Sequence, residues 1–118
     1  MASLIDIDQV DFAFQLPAQV PRDAVLRVTN TGAQTHEMDF LQLPPGVTPQ
    51  QALQALAHHH EPPGKEIDVL TAFSPGLTAW VPMHLEPGTY LVVSLFPDVT
   101  HGGVPQAAEG MVGSFIVS

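Results

Sequence analysis

The sequence predicts an all-β fold, a two-sheet antiparallel sandwich with one short helix inserted in a long connection. Three observations point there. Apolar and polar residues alternate with a period of two in several short runs, the pattern of strands with one buried face. Clusters of Pro, Gly and Asn separate these runs at short intervals, as they do in sandwiches. A single segment carries helical spacing behind a capping residue. With 118 residues, 45% of them hydrophobic and 13% charged, the chain can bury the core of one domain, placed at residues 1–118.

Val10, Phe12, Phe14 and Leu16 alternate with Asp11, Ala13 and Gln15, so residues 10–16 read as the first strand, closed by Pro17 and Pro21. Residues 24–28 form a second β-type run, ended by Asn30-Thr31-Gly32, which has the residue types of a tight turn. A third strand follows at 36–43. After Pro44-Pro45-Gly46, Thr48 is placed to cap a helix opening at Pro49, with Leu53 and Leu56 on one face and His58-His59-His60 near its end. Pro62-Pro63-Gly64 breaks this helix, and 66–72 reads as another strand before Ser74-Pro75-Gly76. Leu77, Ala79, Val81, Met83 and Leu85 then alternate with Thr78, Trp80, Pro82 and His84, and Pro82 marks an edge strand because proline donates no backbone hydrogen bond. Pro87-Gly88 turns the chain into a strand at 89–96. A loop rich in Gly and Pro leads to the last strand at 111–117.

Charge and composition exclude several function classes. Arg22, Arg27 and Lys65 face twelve acidic residues, and a net charge of −9 repels nucleic-acid phosphates and anionic lipid surfaces. The apolar runs are far shorter than the roughly 18 to 20 residues of a membrane-spanning helix. With no cysteine there is no disulfide, thiolate metal site or thiol nucleophile. The segment Met1-Ala2-Ser3-Leu4-Ile5-Asp6 has no basic stretch and long apolar core of an export signal, so these residues do not give a compartment.

Four segments, in their order and spacing, carry a resemblance. They are Phe12-Ala13-Phe14-Gln15-Leu16-Pro17; Val28-Thr29-Asn30-Thr31-Gly32 leading to His36-Glu37; Leu85-Glu86-Pro87-Gly88-Thr89-Tyr90; and Gly110-Met111 before Ser114-Phe115-Ile116-Val117. Over nearly its whole length the chain resembles the cupredoxin family, in particular small bacterial plastocyanin-like domains. The resemblance implies a cupredoxin-like Greek-key β-sandwich with the short helix between the third and fourth strands, and an exported setting, periplasmic or on the outer cell surface. It aligns the family's copper ligands, His, Cys, His and Met, with His36, Ser94, Gln106 and Met111. Two of the four are therefore changed.

A blue-copper site needs a thiolate and two imidazoles, with Met as a long axial contact. A serine hydroxyl is far harder to deprotonate than a thiol, and Gln106 offers only a neutral amide oxygen. The expected function is that of a cupredoxin-like domain with a degenerate type 1 site, with copper or no cofactor. It is at most a weak non-blue copper binder through His36. The alternatives are a metal-free binding or assembly module, which would show an apolar patch or pocket at the former site, and, third, an electron-transfer copper protein.

Each candidate has a plainer reading. His36 is either a ligand or a hydrogen-bonded imidazole, the second being narrowly preferred, and Met111 fills core space as readily as it ligates. His101 could replace the missing imidazole if Gly102-Gly103 fold the loop inward; otherwise it is a solvated loop residue. His36 and Met38 share a strand face, whereas Met83 and His84 point to opposite faces. His58-His59-His60 reads as surface that captures metal adventitiously. Asp98, Glu109 and Ser94 could be named as acid, base or nucleophile, but no Ser-His-acid motif or nucleophile elbow supports them, so no enzyme is expected. Asp6, Asp8, Asp11, Glu37, Asp39, Glu61 and Glu66 are spread as on a solvated face, leaving a basic protein partner open and the oligomeric state undetermined.

Overall fold

A computed structural model describes residues 2–58 and 64–118. The expectations placed on His59, His60, Glu61 and Pro62-Pro63 lie outside the described residues. The described elements are β1 (Ser3–Val10), β2 (Ala13–Gln15), β3 (Asp23–Asn30), β4 (His36–Gln42), α1 (Pro49–Ala57), β5 (Lys65–Phe73), β6 (Thr78–His84), β7 (Gly88–Val93), β8 (Pro97–Asp98), β9 (Val104–Pro105) and β10 (Val112–Val117). Short 3-10 turns occupy Val99–His101 and Gln106–Glu109.

Two four-stranded sheets face each other, in the orders β2-β1-β3-β6 and β10-β7-β4-β5. Between them Ile7, Leu26, Val28, Met38, Phe40, Tyr90, Val92 and Phe115 form the main core. Tyr90 and Phe115 stack at 5.1 Å, and Phe40 meets Phe115 edge-on at the same distance. β7 is buried along its last four residues because both faces are covered. Tyr90 and Val92 point to the facing sheet, while Leu91 and Val93 join Leu41, Leu43 and Ala52 in a second cluster beneath α1. Pro82 sits on β6, an edge strand as its proline requires.

The helix starts as its sequence dictates. Thr48 caps it, its hydroxyl accepting from the Gln51 N–H while the Gln51 side chain accepts from the Thr48 N–H, a reciprocal capping box with Pro49 in the first turn. No helix among the described residues is long and apolar enough to cross a membrane.

Two local expectations are corrected. The run at 10–16 is not one strand: β1 extends back to Ser3, the chain reverses at Asp11-Phe12, and β2 returns antiparallel with Val10 opposite Ala13. The two-residue reversal shifts the alternation by one: Ile7 and Gln9 point inward on β1 and Phe14 on β2, while Val10 lies opposite Ala13 on the other face. The even-numbered apolar residues of 10–16 thus imitate a single strand face without forming one. The sandwich is also not wholly antiparallel, since β1 runs parallel to β3, with Ile7 opposite Val28.

Candidate functional site

β4 enters the core at His36, and the preceding turn sets where that side chain points. Asn30 is buried, and its amide nitrogen donates to the Gln34 and Phe73 carbonyls, both at 2.9 Å. Its oxygen accepts from the Gly32 N–H at 2.9 Å. Asp11, from the β1–β2 reversal, reaches the same turn and accepts from the Ala33 and Gln34 N–H groups. Gly32 is needed for this approach, because a Cβ there would sit 2.3 Å from Asp11 Oδ1 and 3.0 Å from His36 Nε2.

From the other side comes the segment 94–111, stapled by its own backbone. Ser94 N–H donates to the Met111 carbonyl, Met111 N–H to the Gln106 carbonyl and Ala107 N–H to the Ser94 carbonyl. His36, Ser94, Gln106 and Met111 are thus held at one end of the sandwich, all four fully buried.

Their side chains form a closed network. His36 Nδ1 lies 2.8 Å from Gln106 Oε1 and Nε2 lies 2.7 Å from Asp11 Oδ1. The Gln106 amide nitrogen donates to the Thr35 carbonyl at 2.9 Å, which fixes the amide orientation and leaves Oε1 facing the imidazole. Ser94 donates its hydroxyl to the same Oε1 at 2.7 Å and accepts from the Glu37 N–H. An amide oxygen and a carboxylate oxygen are acceptors, so the geometry offers an acceptor to each His36 ring nitrogen, with Asp11 as the carboxylate partner. Partial burial would push the Asp11 carboxyl up, yet the Ala33 N–H, His36 and the Gln34 N–H together hold it below its ordinary value. Phe12 closes the site edge-on against His36, ring centres 6.2 Å apart.

Of the candidate ligands, His36 belongs to this network and Met111 packs in the main core, the cluster that also holds Met38. His101 is engaged elsewhere. Its Nδ1 lies 2.6 Å from Asp98 Oδ2 and 3.5 Å from Glu109 Oε2, and its side chain is 65% exposed. Asp98 is fully buried, and the Thr100 hydroxyl, then His101 and the Thr100 N–H, hold its carboxyl far below the usual range against the opposing effect of burial. Asp98 raises His101 in turn, while burial and then Asp98 raise Glu109. On β6, Met83 packs against the core and His84 faces out, paired with Asp23. Beside these, an apolar groove of about 520 Å³ lies between α1 and the 95–108 segment, lined by Leu53, Leu56, Leu95, Val104 and Pro105 among others. It does not open on His36.

Sequence reasoning missed Asp11 as the partner of His36, because the alternation placed it as one more solvent-facing residue. It named Asp98 and Glu109 only as conceivable acid and base, without their imidazole. The one available signal was the Asn30-Thr31-Gly32 turn, whose glycine marks a close approach by another group.

No family model matches the chain, and no curated protein matches it. Solved structures do. A dithionite-reduced auracyanin from the photosynthetic bacterium Roseiflexus castenholzii superposes with a TM-score of 0.62 at 19% identity, over 100% of this chain and 99% of that one. Reduced rusticyanin gives 0.57 at 18%, over 100% of this chain and 81% of its own. Auracyanin A, a "blue" copper protein from Chloroflexus aurantiacus, gives 0.55 at 16% over the full length of both. The likeness establishes the fold: this chain is an all-β cupredoxin-like sandwich with one short helix.

Proposed function

We propose that this chain is a copper-free cupredoxin-fold recognition module in which a hydrogen-bonded cluster stands where the family keeps its metal. One observation carries the reading: both ring nitrogens of His36 lie within hydrogen-bond distance of acceptor oxygens, Gln106 Oε1 at 2.8 Å and Asp11 Oδ1 at 2.7 Å, an arrangement that engages both nitrogens and leaves neither turned to a metal. The donor set around it does not fit copper either. Ser94 offers a hydroxyl already committed as donor and acceptor, and Gln106 an amide oxygen shared by two donors, where a type 1 site needs thiolate and imidazole. The Met111 thioether alone supplies only a weak axial contact.

The partner of this module is a basic protein presenting an apolar segment. It would dock not at the former metal position, where the sequence placed the expected pocket, but in the apolar groove beside α1; its class follows from that groove and from the net charge of −9. The reading is non-enzymatic, since the Ser94 hydroxyl points its proton at a carboxamide and not at a base. A periplasmic or cell-surface setting is carried over from the cupredoxin resemblance.

Copper titration of metal-free protein, aerobic and anaerobic, with absorption and spin-resonance spectra tests the reading. It is run on the parent chain, on His36→Ala, and on a chain with His58, His59 and His60 all changed to Ala. The expected result is no blue absorption and no equivalent of copper that depends on His36. One equivalent lost in His36→Ala but kept in the triple variant would overturn it and favour weak non-blue binding through His36, with Met111 and His101 as co-ligands.

A further inference from the structure

We propose that the loop after β7 holds a site for one divalent cation of intermediate softness, with zinc as the type, built from His101 Nδ1, Asp98 Oδ2 and Glu109 Oε2. One ligand atom from each of these residues lies within 4.8 Å of the other two, and all three residues come from one short stretch of chain. Zinc with ligands at about 2.0–2.2 Å in a tetrahedron sets neighbouring ligand atoms about 3.4 Å apart. The His101–Glu109 edge, at 3.5 Å, already fits, and the His101–Asp98 edge, at 2.6 Å, opens when its shared proton leaves. That proton departs from Nδ1 to solvent as the nitrogen lone pair turns to the ion. One imidazole and two carboxylates, with an open position on the exposed side of the ring, suit zinc; the absence of sulfur disfavours Cu(I).

Two further observations point to a ligand. Glu109 Oε1 is shut off from solvent and has no hydrogen-bond partner among the described residues. An orphaned carboxylate oxygen is costly, and a carboxylate binding a cation through both oxygens satisfies it. Asp98, fully buried, is also pre-aimed: its Oδ1 accepts from the Thr100 N–H at 2.9 Å and the Thr100 hydroxyl at 2.6 Å, which leaves Oδ2 for His101 or an ion. The loop folds back on itself through a hydrogen bond from Gly103 N–H to the Asp98 carbonyl, with Gly102 and Gly103 both at positive φ. The site shares no residue with the His36 cluster, so loading it does not restore a copper centre.

Calorimetric titration with zinc chloride tests this in the full chain carrying His58→Ala, His59→Ala and His60→Ala, which removes the adventitious run. One equivalent is expected. His101→Ala and Glu109→Gln should each weaken binding at least about tenfold, Thr100→Val about tenfold through the lost support of Asp98, and His84→Ala not at all. In the histidine ring spectrum, zinc should move His101 and leave His36 in place. No one-to-one binding, an affinity unchanged in both His101→Ala and Glu109→Gln, or a His101 signal unmoved at saturating zinc overturns the proposal.

Discussion

Two imidazole–carboxylate pairs sit near one end of this sandwich, and they differ in everything but length. His36 and Asp11 meet at 2.7 Å, His101 and Asp98 at 2.6 Å. In the first the imidazole is fully buried and both its nitrogens are spoken for; in the second the carboxylate is buried and the ring is 65% exposed. A buried ring with two acceptors is a structural strut, because any new ligand must first break a hydrogen bond that water cannot replace. An exposed ring bonded through one nitrogen can exchange a proton for an ion at little cost. The contrast is the physical basis for the two proposals, that the residue aligned with a copper ligand is closed to metal and that the loop histidine is open to it.

Removing each imidazole should separate the two most sharply. His36→Ala leaves Asp11 and Gln106 without their partner and opens a void in a buried cluster, so urea unfolding should show a loss of about 3–5 kcal/mol. His101→Ala, measured the same way without added metal, should cost less, about 1–2 kcal/mol, because the buried Asp98 carboxylate loses one donor but keeps the Thr100 N–H and hydroxyl. Equal losses in the two variants would erase the distinction.

A third carboxylate sharpens the comparison from the opposite side, with the smallest effect of the three. Asp39, on β4, is half-buried and faces other acidic groups, Glu66 and Asp68. Burial first, then Glu37, Asp68 and Glu66, push its carboxyl from 3.8 up to about 6. The folded chain therefore holds this proton more tightly than the unfolded one. The stability it supports is complete below pH 3.8 and is lost as pH rises through about 6. Asp39→Asn should stabilise the protein at pH 7 by about 1 kcal/mol, allowing for solvent screening, with the gain vanishing by about pH 4. A gain that persists at low pH would remove the charge explanation.

Much of this was legible in the sequence, and the parts that were not share a cause. The capped helix at Thr48-Pro49 and the edge strand carrying Pro82 follow from local residue types. The parallel pairing of β1 with β3 and the meeting of Asp11 with His36 depend on where the chain goes after it turns. Asp11 lies 25 residues from its imidazole, and no periodicity spans that gap. In the 94–111 segment the residue identities excluded a thiolate, but did not disclose that Gln106 would bind Ser94 and His36 together while His101 turned to Asp98 and Glu109.

The central claim is that both His36 ring nitrogens are engaged by acceptor oxygens and closed to copper, and nitrogen-15 spectra of histidine-labelled protein test this directly. The account predicts that neither His36 nitrogen moves on adding one equivalent of copper. A His36 nitrogen that shifts or broadens with copper would contradict it.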